Sequence, residues 1–187
     1  VRYTTMRVVK SDLLKKGCTL AIVVFIIRCF IVKPSDLYAL WGAMGEAVTI
    51  TLFFMFLYEK WIWRLNCFEK VPHIYGKYEA KLEYEYEGKR KTKSIQINIK
   101  QSLLQTNVEI ITNEISSQSI TSSLVLENEQ SILYYTYITS PKSRYSTNNP
   151  IQYGTCRIMI RDGELPVGTY WTSRQTKGDI TFKSKLK

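Results

Sequence analysis

The sequence predicts a membrane α-helical hairpin followed by an all-β domain of about eight antiparallel strands closed into a small barrel. Three observations predict it. Two apolar runs, residues 13–32 and 37–58, are separated only by Lys33-Pro34-Ser35-Asp36. From residue 71 the pattern changes to apolar–polar alternation with a period of two, the mark of strands with one wet face. Polar and glycine-bearing links then recur at short intervals, with no helical period between them.

Residues 1–12 form a basic segment with Arg2, Arg7 and Lys10 against Asp12, and Lys15 and Lys16 extend it. Such a flank stays on the cytoplasmic side of a membrane. Each apolar run holds about 20 residues, which at 1.5 Å of rise per residue crosses a hydrocarbon layer of about 30 Å. A secretory signal peptide is the competing reading of the first run, but a second apolar run follows it where a small-residue cleavage site would stand. Pro34 ends the first helix, and Ser35 or Asp36 caps the next. Residues 59–70 form an interfacial linker: Lys60, Arg64 and Lys70 accompany Trp61 and Trp63, residues that favour the headgroup layer. Both ends of the hairpin are therefore expected inside, which places residues 71–187 in the cytoplasm.

Each run contains one charge, Arg28 in the first and Glu46 in the second. An ion within a bilayer costs about 2.5–3.5 kcal/mol on insertion scales, so it usually faces a partner or water. Counted from the shared loop, the two differ in depth by roughly 7 Å, which a long arginine can bridge within one hairpin or between neighbours. Snorkelling of Arg28 to the interface is the alternative. Gly42, Ala43, Gly45, Ala47 and Thr49 surround Glu46 with small residues that let helices approach closely. They favour self-association of hairpins or serve the packing of the two helices of one chain.

In the β domain, Tyr78, Ala80, Leu82, Tyr84 and Tyr86 alternate with charged residues until Gly88, and Ile95, Ile97 and Ile99 repeat the pattern after a short link. Further strands are expected near residues 105–112, 117–126, 131–139, 152–161, 169–174 and 179–185. Links are expected at 127–130, 161–164 and Lys177-Gly178, with a longer, flexible lip at 140–150. A β-sandwich is the alternative to a closed barrel.

The net charge of +10 splits evenly, because residues 1–70 hold ten Lys/Arg against five acids and residues 71–187 hold sixteen against eleven. This fits anionic lipid for one half and an anionic ligand for the other; an ordinary basic surface reads the same way. The four cysteines, Cys18, Cys29, Cys67 and Cys156, imply no disulfide framework. His73 is the single histidine, so no histidine-based triad or zinc set can be assembled, and an enzyme is not expected. No cofactor is implied. Tyrosine beside arginine stands out instead: aromatics stack on bases and arginine pairs with phosphate, so a barrel lined by both suits a nucleotide. Near the end of the chain Tyr170, Thr172 and Arg174 share one face of a strand, with Thr169, Trp171 and Ser173 on the other. Alternation alone does not say which face looks inward.

The two helices, a strand opening Gly76-Lys77-Tyr78, and a closing pattern Gly168-Thr169-Tyr170, Thr172, Arg174, Thr176 and Gly178 resemble the CD-NTase-associated protein 15 family. Its members are membrane-anchored β-barrel effectors of the bacterial cyclic-oligonucleotide antiphage systems (CBASS), and the resemblance covers essentially the whole chain. It implies that a phage-activated nucleotidyltransferase makes a cyclic dinucleotide that the cytoplasmic barrel binds. The hairpins then assemble as a homo-oligomer and disrupt the lipid of the inner membrane, an abortive infection. It also implies a ligand site at Tyr78, Tyr170, Thr172 and Arg174: Arg174 pairs with a phosphate, the tyrosines stack on bases and Thr172 hydrogen-bonds. Arg157 is a further candidate for the second phosphate, although Cys156, Ile158 and Ile160 compete for the same interior. No DNA or RNA polymer is expected as a partner. A lipocalin-like lipid-binding barrel and a constitutive membrane scaffold are the rival readings.

Overall fold

The computed structural model describes residues 6–65, 71–86, 88–147, 149–161 and 163–186. Arg2 of the basic flank, residues 66–70 of the linker and the link residues 87, 148 and 162 lie outside them. The chain divides into two compact units.

The first unit is a helical hairpin. Helix α1 (Met6–Val32) begins within the basic segment, ahead of the apolar run, and ends where Lys33 takes a positive φ of 48° just before Pro34. Helix α2 (Leu37–Lys60) starts on the expected cap: the Asp36 carboxylate accepts a 2.7 Å hydrogen bond from Ala39 N–H. The helices run antiparallel, with the Lys16 ammonium 5.5 Å from the Tyr58 ring centre, Gly17 against Met55, and Arg28 donating to Glu46. The single charges of the two apolar runs thus pair within one hairpin. The small residues near Glu46 divide between two faces. Ala43, Ala47 and Thr51 form a buried stripe, while Gly42 and Gly45 face open space.

Helix α2 is long and apolar enough to cross a membrane by length and composition. In α1 the stretch between Lys16 and Lys33, residues 17–32, spans only about 24 Å and includes Arg28. Large apolar side chains on both helices, among them Ile22, Phe30, Leu52 and Phe53, are exposed. After α2 a short 3-10 turn (Ile62–Leu65) buries Trp63 completely and leaves Trp61 exposed, so the two tryptophans do not share one environment.

The second unit is the barrel. Its strands are β1 (Gly76–Tyr86), β2 (Lys89–Gln101), β3 (Thr106–Ile111), β4 (Ile115–Glu127), β5 (Gln130–Pro141), β6 (Tyr153–Ile160), β7 (Val167–Thr172) and β8 (Lys177–Leu186). Each pairs antiparallel with the next, and β1 closes on β8. All eight expected strands are present, and closure leaves no sheet edge exposed. Asn128 (φ 47°) and Glu129 (φ 66°) make the two-residue turn that matches strand twist between β4 and β5. Bulges at Glu79/Ala80 and Ser119/Thr121 bend the longer strands. One local expectation is corrected. Lys177-Gly178 belongs to β8, and the turn falls earlier, at residues 173–176, where Gln175 takes a φ of 61°. Within the expected lip, the described residues form a 3-10 turn (Ser143–Tyr145), and Lys142 N–H donates to the Glu114 carbonyl at 2.9 Å.

Alternate residues fill the interior. Ile97, Ile99, Val108, Leu133, Ile158, Ile180 and Phe182 form a core at the end where the chain enters. There the Gln101 amide accepts from Ile74 N–H and donates to the Pro72 carbonyl, each at 2.9 Å, which satisfies backbone groups that close this end. The opposite end receives the β1–β2, β3–β4, β5–β6 and β7–β8 connections, and there the core gives way to a cavity.

Candidate functional site

The cavity has a volume of about 410 Å³, within the range of small-molecule sites. Its base is aromatic and aliphatic: Tyr135, Tyr137 and Tyr170 with Leu82, Ile95 and Ile180. Hydroxyls and amides of Ser117, Thr112, Thr139, Gln152 and Thr172 line its walls. Charged groups stand at the mouth: Arg174 on the β7–β8 turn, Glu85 at the end of β1, and Lys93 paired with Glu114 at 2.8 Å. An apolar base with polar groups converging above it suits a ligand with flat rings and anionic linkages.

Two glycines make room for the tyrosines. Gly154 pairs with Tyr137 and Gly178 with Tyr170 across the strands. A Cβ at 154 would lie 2.7 Å from the Trp171 carbonyl oxygen, and one at 178 would lie 2.8 Å from Tyr170 Cε1 and overlap the Glu83 carbonyl. Each ring crosses a neighbouring strand where only glycine leaves space.

Tyr170, Thr172 and Arg174 are brought together by β7 and the turn after it. Tyr170 is 8% exposed and points inward, whereas Trp171 is 47% exposed and points out. The turn is tight: Thr172 N–H donates to the Thr176 carbonyl at 2.9 Å and Gln175 N–H to the Thr172 carbonyl at 3.0 Å. Arg174 is thereby presented at the mouth, its own N–H donating to Thr172 Oγ1 at 3.3 Å. Among the described residues its guanidinium has no partner.

The structure does not bring Tyr78 or Arg157 to this cavity. Tyr78 points inward but belongs to the closed end, where its hydroxyl donates to the Ile74 carbonyl at 3.0 Å and its ring packs edge-on against Phe182. Arg157 lies on the outer face, donating to Tyr134 Oη at 3.0 Å and pairing with Glu127 at 3.4 Å. Cys156, Ile158 and Ile160 hold the interior positions of β6, because apolar side chains on that face gain more from burial than a guanidinium does. Sequence reasoning missed Tyr84, Lys93, Glu114, Tyr135 and Tyr137. Lys93 was legible in part, since it precedes Ile95 by two and so shares the face of the interior isoleucines.

The base of the cavity is electrostatically constrained. Burial first, and neighbouring Cys156 second, push the Tyr135 and Tyr137 hydroxyls well above their ordinary value of 10.0. Burial also raises Tyr170, and it pushes the Cys156 thiol from 9.0 to about 12. The folded barrel therefore holds these protons more tightly than the unfolded chain. Their contribution to stability is fully present below about pH 9 and is lost as pH rises, first through the thiol and then through the tyrosines above about pH 10. Each group contributes up to about 1.4 kcal/mol per pH unit within its window. The melting temperature is expected to hold from pH 7 to 9 and fall steeply by pH 11, with Cys156→Ala removing the earliest part of the fall. A flat profile to pH 11 by differential scanning calorimetry would contradict it.

Tyr135 carries a further cost: its enclosed hydroxyl has no hydrogen-bond partner among the described residues. The neighbouring thiol is a poor substitute.

The family model described as Cap15, cyclic dinucleotide receptor domain, matches residues 69–184, the span that forms the barrel. A CD-NTase-associated protein 15 of Staphylococcus schleiferi is 39% identical over 169 residues, covering 88% of this chain and 91% of that protein. With more than half of the chain matched by the family model and a relative 39% identical over most of its length, the chain belongs to the Cap15 (CD-NTase-associated protein 15) family.

Proposed function

We propose that the protein is a membrane-anchored effector of CBASS antiphage defence, and not an enzyme, whose barrel binds a cyclic dinucleotide in the 410 Å³ cavity. The observation that carries this reading is the convergence of Tyr170, Thr172 and Arg174 on one aromatic-based cavity, in the span matching a cyclic dinucleotide receptor domain. Arg174 takes a phosphate, Thr172 hydrogen-bonds to the ligand, and Tyr170 with its neighbours holds a base. The ligand comes from a linked nucleotidyltransferase. Tyr78 supports the closed end of the barrel, and Arg157 contributes an outer ion pair.

Both helices cross the bacterial inner membrane in this reading, with the N-terminus and barrel in the cytoplasm. Binding drives hairpins to assemble and disrupt the bilayer, killing the infected cell. That coupling requires the assembled state to bind ligand more tightly than the free state. The outward face of Gly42 and Gly45 offers a close-approach surface for a neighbouring hairpin.

The test is calorimetric titration of the full-length protein in detergent with a panel of cyclic dinucleotides, alongside its mass distribution with and without ligand. Binding with a shift to larger oligomers is expected; an unchanged distribution in the presence of a bound ligand ends the coupling model. Glu46→Gln leaves Arg28 without its counter-charge. It is expected to lower ligand-dependent leakage from liposomes several-fold, the scale of about 1 kcal/mol for an interhelical polar contact. Full leakage in that variant would remove the pair from the mechanism.

A further inference from the structure

The cavity is lined by two cations among the described residues, and they are in different states. Arg174 is exposed and has no partner for its guanidinium among the described residues. Lys93 is half-buried, with its ammonium 2.8 Å from a Glu114 carboxylate oxygen. Lys93 occupies an inward position of β2, on the same face as Ile95, so its head reaches the cavity beside aliphatic groups. A partly desolvated ammonium needs a counter-charge, and Glu114 supplies it.

Glu114 is held in place through its backbone. It lies in the β3–β4 turn, closed by Thr112 N–H donating to the Ile115 carbonyl at 2.9 Å. Its own N–H donates to Thr112 Oγ1 at 3.3 Å, and its carbonyl accepts from Lys142 N–H at 2.9 Å. Turn and long loop together fix where the carboxylate starts from, at the rim of an anion-binding cavity. Such a group disfavours any anion that enters without compensation.

We infer that Lys93 is the contact for the second phosphate of the ligand and that Glu114 is its resting counter-ion, displaced when a ligand with two phosphodiester groups enters. The inference rests on the cyclic dinucleotide reading of the cavity. A mononucleotide held by Arg174 alone leaves the Lys93–Glu114 pair intact and meets the carboxylate as repulsion. A cyclic dinucleotide presents a second phosphate that replaces the carboxylate on Lys93. Glu114 thereby lowers affinity for all anions while favouring those with two anionic groups at the right separation.

The experiment is calorimetry on the full-length protein in detergent, using the cyclic dinucleotide that binds the unaltered chain most tightly and the corresponding mononucleotide as probes. Glu114→Gln, which keeps the size of the side chain, is expected to tighten cyclic dinucleotide binding about fivefold and to narrow its advantage over the mononucleotide. Lys93→Met is expected to weaken cyclic dinucleotide binding about 20-fold. In the double variant the gain from Glu114→Gln is expected to vanish, because the group it competed for is gone. A purely structural ion pair gives the opposite sign at Glu114, with affinity falling as the rim loosens. Unchanged or weaker binding by Glu114→Gln overturns the inference, and so does a gain that persists without Lys93. If Lys93→Met does not fold, the sign at Glu114 and the mononucleotide ratio still decide. Failure of the underlying reading looks different. If no cyclic dinucleotide binds the unaltered protein, or if Arg174→Ala binds it equally well, the site assignment falls and this inference with it.

Discussion

Replacing Arg174 by alanine is expected to weaken cyclic dinucleotide binding about 100-fold while leaving the barrel's melting temperature within a few degrees of the unaltered protein. The guanidinium is exposed at the cavity mouth and makes no internal ion pair among the described residues, so its removal breaks nothing in the free protein. What is lost is a charge-assisted contact to phosphate of about 2–3 kcal/mol, which corresponds to roughly 30- to 150-fold in affinity. Arg174→Lys is expected to recover only part of it, because an ammonium is a point charge and cannot meet two phosphate oxygens in parallel. Calorimetry at two salt concentrations separates this contact from the general positive field, since the variant should show a shallower salt dependence. Unchanged affinity in Arg174→Ala would mean that the phosphates lie elsewhere.

Gly178→Ala is expected to destabilise the barrel by about 3 kcal/mol or more, of the order of the upper costs of overpacking, lowering its melting temperature by about 10 °C. The added methyl would overlap the Glu83 carbonyl, a backbone atom that cannot rotate aside, and would press on the Tyr170 ring at 2.8 Å. The site of the clash matters as much as its size. Gly178 lies opposite Tyr84 on β1 and opposite Tyr170 on β7, so a shift there loosens the β1–β8 seam that closes the sheet. The same displacement moves Tyr170 at the base of the cavity, and ligand affinity should fall together with stability. A variant that melts normally and binds normally would show that β8 can shift without disturbing either neighbour.

These two residues also measure how far local pattern reaches. Tyr170 and Thr172 were recognisable as one face of a strand from their spacing, whereas Arg174, expected to continue that face, stands on the turn after β7 ends at Thr172. Whether that face looked inward was not recognisable, because Trp171 on the other face is the larger apolar residue and an equally good candidate for a core. Inward placement of Tyr170 depends on Gly178 and on the register Tyr170↔Gly178, a relation between β7 and β8 that neither segment contains alone. At Arg157 the question was the same, and burial of Cys156 and Ile158 settled it against the arginine. Tyr78 shows the remaining ambiguity. It faces inward like Tyr84, six residues later, yet the two reach opposite ends of the interior, one packed on Phe182 and the other lining the cavity.

By itself the sequence determined the division into apolar helices and alternating strands, the antiparallel helical turnaround at Pro34-Ser35-Asp36, and the number and order of the strands. Hydrophobic period and turn chemistry act over a few residues, so they are legible locally. Tertiary structure alone decided which face of each strand is inside, which end of the barrel is plugged and which is open, and that Lys93 on β2 meets Glu114 in the β3–β4 turn. Those outcomes follow from closing the sheet: closure sets the register of every strand at once, and a slip of one residue would exchange every inward side chain for an outward one.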